Sequence, residues 1–180
     1  MKLFVSGLLA LYVFVHFNTS TIYADIIEPL KKNNTVYLVG YSAGWYNDSW
    51  ECIKSTAVNS TDNWMERILY FAFRTTSYWI NVSVGFEITL NTSYITVGPE
   101  GWVQGQFNAG DIYSILIYTN DSFVLSDSTG RFSNPPCSLW MTRPTTNISE
   151  VPETTNATFF GRCPNATFFG YDNSFCLAQK

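Results

Sequence analysis

Beyond residue 24 this sequence carries nine Asn-X-Ser/Thr acceptors, at Asn33, Asn47, Asn59, Asn81, Asn91, Asn120, Asn147, Asn156 and Asn165. An acceptor that receives a glycan has to point at water, because an oligosaccharide cannot be packed into a core. The acceptors run the length of the chain, so each segment holding a used one must reach the surface. Aromatic residues make up 17% of the sequence and charged residues only 13%. That leaves more apolar side chains than a core of this size needs and few charges to keep the outside soluble, a conflict that glycans resolve.

The chain opens on an apolar run, residues 3–17, behind a single basic Lys2, and Ile22-Tyr23-Ala24 supplies a small-residue cleavage site. This predicts a secretory signal peptide over residues 1–24, too short and too abruptly polar afterwards for a membrane anchor. Residues 25–180 then form a single secreted domain. The sole histidine, His16, sits in the leader. Without it the remaining chain lacks the base of Ser-His and Cys-His catalysis and the commonest zinc ligand. We therefore expect no enzyme, no metal and no cofactor. A formal charge of −4 gives no basic footprint for nucleic acid or an anionic membrane.

Four cysteines remain, Cys52, Cys137, Cys163 and Cys176. An even count in an oxidising compartment predicts two disulfides, and the spacing leaves all three pairings open. The close Cys pairs that a zinc site needs are absent.

Segments 36–41, 50–56, 67–73, 78–90, 94–97, 102–107, 112–119, 123–125 and 138–142 are rich in β-branched or aromatic residues. Asn, Asp, Gly and Pro separate them, with turns expected at 98–101, 108–111 and 127–130. Such a series of short strands predicts an antiparallel barrel or sandwich. Residues 25–32 suit one or two helical turns and 153–160 a short helix, while the rest of the tail reads as loop held by Cys163 and Cys176. Asn-Ala-Thr-Phe-Phe-Gly occurs twice, from Asn156 and from Asn165.

If Asn81 carries a glycan, alternation turns Trp79, Asn81, Ser83 and Glu87 outward and Ile80, Val82, Val84, Phe86 and Ile88 inward. Glu66 and Arg74 share a parity outside, leaving Leu69, Phe71 and Phe73 inside. Glu66, Arg67 and Arg74 read together as a solvated strand-end cluster. An uncharged inner wall of Phe and Val is either plain core or the lining of an apolar cavity, and an eight-stranded barrel is wide enough to hold one small ligand.

Several ordered pieces resemble the tick salivary lipocalins of the histamine-binding type: Val36-Tyr37-Leu38-Val39, Asn47-Asp48-Ser49-Trp50-Glu51-Cys52, Cys137-Ser138-Leu139-Trp140-Met141-Thr142, Val151-Pro152, Cys163 and Cys176-Leu177. The resemblance implies an all-β, eight-stranded antiparallel lipocalin barrel with a short N-terminal helix and a C-terminal helix packed outside. It also implies a Cys52–Cys176 bridge, which leaves Cys137 to Cys163.

Departures from the family pattern bear on the ligand. An acid precedes the Leu-Trp pair of the last strand in amine-binding relatives, and here Ser138 stands there. A second acid aligns with Val124, and Phe123 replaces a neighbouring cysteine. A cationic amine needs carboxylates to offset its desolvation, yet Glu87 faces outward and Asp111 sits at a strand start. An uncharged aromatic barrel suits a sterol or lipid such as cholesterol, held by apolar area and a few orienting polar groups. We take the wall from Phe71, Phe73, Val84, Phe86 and Ile112, and the polar groups from Gln104, Ser114 and Ser138. The resemblance adds Trp45 and Trp102, which match aromatic ligand contacts of the amine binders. Heavy glycosylation with two bridges looks most like the Japanin-like branch, which implies sterol binding and modulation of host dendritic cells; we expect a monomer. The alternatives are a scavenger of histamine, serotonin or an eicosanoid, and a surface that binds a host immune protein or receptor without needing a ligand.

Overall fold

The computed structural model describes residues 28–31, 35–42, 50–61, 63–98 and 110–178. The expected signal peptide, the acceptors Asn33 and Asn47, and the expected strand 102–107 lie outside the described residues. Eight strands follow in order: β1 (Thr35–Tyr41), β2 (Trp50–Ser60), β3 (Trp64–Arg74), β4 (Trp79–Leu90), β5 (Tyr94–Gly98), β6 (Ile112–Tyr118), β7 (Ser122–Asp127) and β8 (Cys137–Met141). Each pairs antiparallel with the next, and β1 pairs with both β8 and β2, which closes the barrel. The strand series left barrel and sandwich open, and the eight-stranded antiparallel barrel that the family resemblance implied is the one observed.

Strand β4 shows how residue order selects faces. Asn81, Ser83 and Glu87 are exposed while Val82, Val84, Phe86 and Ile88 turn to the interior. Strands β7 and β8 behave differently, with every residue buried. One face of each looks into the barrel, and the other lies under helix α2 (Glu153–Arg162). The helix packs Phe159 against Val39, Val124, Leu139 and Met141 in a second core outside the barrel wall. Gly40 makes room for it, since a Cβ there would stand 3.0 Å from the Phe159 ring. A buried bond of 2.8 Å between Ser122 Oγ and Thr155 Oγ1 fixes the helix against β7.

Strand β2 needs a bulge. Strict alternation from Trp50 would place Cys52 and Lys54 inside. Instead the pairing with β3 shifts between Glu51 and Lys54, and Cys52 takes φ +57°. A residue in the left-handed region inserts one extra position and restores the apolar face beyond it. Trp50, Ile53, Ser55 and Ala57 are consequently the buried positions.

The tail is more ordered than a loop. Thr167–Phe168 form a ninth strand, β9, on Gly40 and Tyr41, where β1 has already parted from β2. Helix α3 (Asn173–Ala178) follows. Its Cys176 joins Cys52, and Cys137 joins Cys163, the pairing that the family resemblance implied. The tail thus covers the seam that β1 and β2 leave open. The repeated hexapeptide adopts two conformations: its first copy lies in α2, its second passes through β9 to Gly170 at φ +73°. Of the expected N-terminal helix, Glu28–Lys31 (α1) is described.

Candidate functional site

The inward faces line a cavity with about 100 Å³ of room for the centres of water-sized molecules, several times the roughly 10–15 Å³ that a single water needs. The β2–β3 connection and turns at 91–93 and 119–121 mark one end of the barrel, and turns at 75–78 and 128–136 mark the other. Leu30 of α1 reaches the cavity near the first end, which makes that end the floor. The walls come from Val36, Ile53, Leu69, Val84, Phe86, Ile88, Ile95, Val97, Phe123, Leu125 and Trp140. Nearly all of that surface is carbon. Its polar groups come from Ser55, Arg67, Tyr113 and Ser138, and no Asp or Glu stands among the described lining residues.

Arg67 is the largest departure from the sequence reading. It is fully buried and lines the cavity, where a solvated surface position was expected. Its parity is that of Leu69, Phe71 and Phe73, so the alternation that placed them inside places Arg67 there too. The guanidinium Nε donates to Ser55 Oγ at 2.9 Å, Nη2 to the Ser55 carbonyl at 2.7 Å, and Nη1 to the Leu30 carbonyl at 2.9 Å. It thereby ties α1 to β2 and β3. Desolvation lowers its pKa to about 10, still far enough above neutrality for the group to be charged. A fixed positive charge in the wall repels a cationic amine.

Ser138 is 1% exposed, lines the cavity and accepts a hydrogen bond of 2.9 Å from Trp140 Nε1. Val84 and Phe86 also line it. Phe71 and Phe73 face the interior nearer the mouth, in an aromatic cluster with Trp50 at centroid distances of 4.6 and 5.4 Å. The structure does not bring Ile112 and Ser114 to the site. Ile112 is 40% exposed, and Ser114 is bonded to Ser128 on the outer face. On β6 it is Tyr113 and Ile115 that face the interior. Trp45, Trp102 and Gln104 lie outside the described residues.

Tyr113 accepts a bond of 2.8 Å from the Gly110 N–H, and burial raises its pKa. Opposite it on β7, Asp127 is buried at the mouth end. Its carboxylate accepts from the Thr129 N–H at 2.8 Å and pairs with Arg131 at 3.4 Å. The inward-facing acid is therefore engaged within its own turn, and Glu87 is exposed. Among the described residues no cluster of His, Cys, Asp or Glu is placed to hold a metal ion.

No protein-family profile matches the chain. Japanin of Rhipicephalus appendiculatus is 27% identical over 86% of this chain and 87% of its own length. Japanin-like-RS of Rhipicephalus sanguineus is 26% identical over the same shares. The structure of Japanin bound to cholesterol matches with a TM-score of 0.71 at 28% identity, covering 81% of this chain and 97% of that one.

Proposed function

We propose that this chain, a homologue of Japanin with the same lipocalin barrel, is a secreted carrier that holds a sterol or a related lipid in its cavity. One observation carries the reading: a carbon-lined cavity whose described lining includes no carboxylate. Apolar area removed from water contributes roughly 25 cal/mol per Å², and a sterol offers a large rigid area with one hydroxyl to satisfy. The cholesterol bound in the Japanin structure supports the same ligand class. An ammonium ligand would meet Arg67 and find no carboxylate in the described lining to offset its desolvation, which argues against an amine scavenger. The two disulfides suit an extracellular protein, and glycans on exposed Asn59, Asn81, Asn120, Asn147 and Asn165 would all point to water.

The family resemblance extends the reading to saliva and to host immune cells such as dendritic cells, with the loaded protein as the active form. Native mass spectrometry of the secreted protein, followed by organic extraction, tests the carrier reading. A stoichiometric sterol or lipid is expected. A protein that is empty, refuses sterols and takes up histamine would overturn it. Val84→Trp, which fills the cavity from a lining position, is expected to abolish ligand binding and any effect on dendritic-cell maturation. Loss of ligand with the cellular effect intact would transfer the activity to the outer surface.

A further inference from the structure

The cavity holds two buried serines whose hydroxyls are half used. Ser55, 3% exposed, accepts from Arg67 Nε, and Ser138, 1% exposed, accepts from Trp140 Nε1, both at 2.9 Å. Among the described residues neither hydroxyl donates. A hydroxyl carries one proton as well as its lone pairs, so each serine has a donor left to offer, and both line the cavity. A buried donor without an acceptor is costly, and a ligand oxygen is the acceptor this space can take.

The two donors stand at different depths. Ser55 lies opposite Val36 and Ser138 lies opposite Tyr41, with a register shift between Leu38 and Gly40. Four to five strand steps at about 3.3 Å each separate the two levels by roughly 13–17 Å along β1. Most of the remaining described lining, Leu69, Val84, Phe86 and Leu125 among it, supplies only carbon. Arg67 beside Ser55 adds positive potential, which favours an oxygen lone pair at the floor.

From this spacing we infer that the site is built for an elongated apolar molecule with an oxygen at each end. Within the sterols, that means one oxygenated on its side chain as well as on its ring. The inference rests on the carrier reading and sharpens it. One serine meets the ring hydroxyl and the other meets the side-chain oxygen.

The test uses the full secreted protein, stripped of lipid and titrated by competition against a fluorescent sterol. Three competitors are compared: cholesterol, a sterol hydroxylated on its side chain, and the hydrocarbon that lacks the ring hydroxyl. The side-chain-hydroxylated sterol is expected to bind about three- to tenfold more tightly than cholesterol, and the hydrocarbon weaker by a similar factor. Ser138→Ala and Ser55→Ala should each erase one of these two ratios and leave the other. Equal affinity for all three competitors would overturn the inference while leaving the carrier reading in place. Ratios unchanged in both variants would also overturn it. Failure to bind any sterol would overturn both. The ligand series on the parent protein decides the matter if either variant fails to fold.

Discussion

Replacing Arg67 with Met removes the guanidinium at nearly constant volume, and the structure lets the cost be worked out. Besides Met65 Sδ, a weak acceptor at 3.8 Å, three oxygen acceptors among the described residues lose their donor: Ser55 Oγ, the Ser55 carbonyl and the Leu30 carbonyl, at 2.9, 2.7 and 2.9 Å. At about 2 kcal/mol for each buried acceptor left bare, the loss is roughly 6 kcal/mol. Against it stands the relief of a buried charge. Its pKa falls from 12.5 to about 10, and at about 1.4 kcal/mol per unit that relief is roughly 3 kcal/mol. The net loss is about 3 kcal/mol, which lowers Tm by roughly 6–12 °C in a chain of this size. Folding lowers the pKa of this base, so its desolvation cost is fully present below about pH 10 and eases only above it. The deficit should therefore be constant across neutral pH. Thermal unfolding by near-ultraviolet circular dichroism reads the size, and hydrogen exchange at residues 28–31 and in β2 reads the place. Arg67→Lys keeps the charge but cannot fork to three acceptors, so it should not rescue. A Met variant that melts with the parent, or one that destabilises without loosening α1, would refute the reasoning.

Other expectations follow from the same geometry. Removing the Cys52–Cys176 bridge, with 124 positions between its ends, should cost about 5 kcal/mol in the chain-entropy description, against about 3.5 kcal/mol for Cys137–Cys163 with 26; denaturant unfolding of the two double-alanine variants gives the order. Gly40→Ala drives a methyl to 3.0 Å from the Phe159 ring and 3.1 Å from the Thr167 carbonyl. Overpacking of this kind costs about 1–3 kcal/mol, and it should appear as loss of exchange protection in α2 before loss in the barrel. Burial pushes Tyr171 up to about 12. The stability this confers is intact below the unfolded value near pH 10 and is lost as pH rises through the folded value. Phenolate absorbance followed to high pH should lose part of its late-rising amplitude in Tyr171→Phe, and a parent and variant with the same curve would refute the assignment.

Much of the barrel was legible because its strands separate polar from apolar faces. Strand β4 is the clear instance, with Asn81, Ser83 and Glu87 marking the outside. Strand β6 is apolar on both faces, Ile112-Tyr113-Ser114-Ile115-Leu116-Ile117-Tyr118. Its alternation carries no sign, and α2 covers part of the outer side. Ile112 and Ser114 were accordingly assigned to the wrong face. Strand β2 hid its faces differently, because the bulge at Cys52 reverses parity partway along. Arg67 was readable in principle. Its charge outweighed its parity in the reading, and nothing local in the sequence announces that Leu30 and Ser55 wait for it across 37 and 12 positions. The tail was the least legible part. The same hexapeptide becomes helix over Phe159 and strand beside Gly40, so its conformation is set by what it packs on.

The spacing of the two bridges also sets a timetable for oxidation. Cys163 follows Cys137 by 26 positions, whereas Cys176 follows Cys52 by 124. At about 5–20 residues per second, a growing chain carries Cys52 as a lone thiol for roughly 6–25 s before its partner is made. Cys137 and Cys163 arrive within that interval as rival partners. Rapid pairing of the close couple withdraws both rivals, leaving Cys176 as the remaining choice for Cys52. A catalyst of disulfide exchange should therefore speed maturation most when one cysteine of the 137–163 couple is replaced, which leaves the other as a lasting rival. A chain interrupted before Cys176 would display the Cys52 thiol on the outside of the barrel.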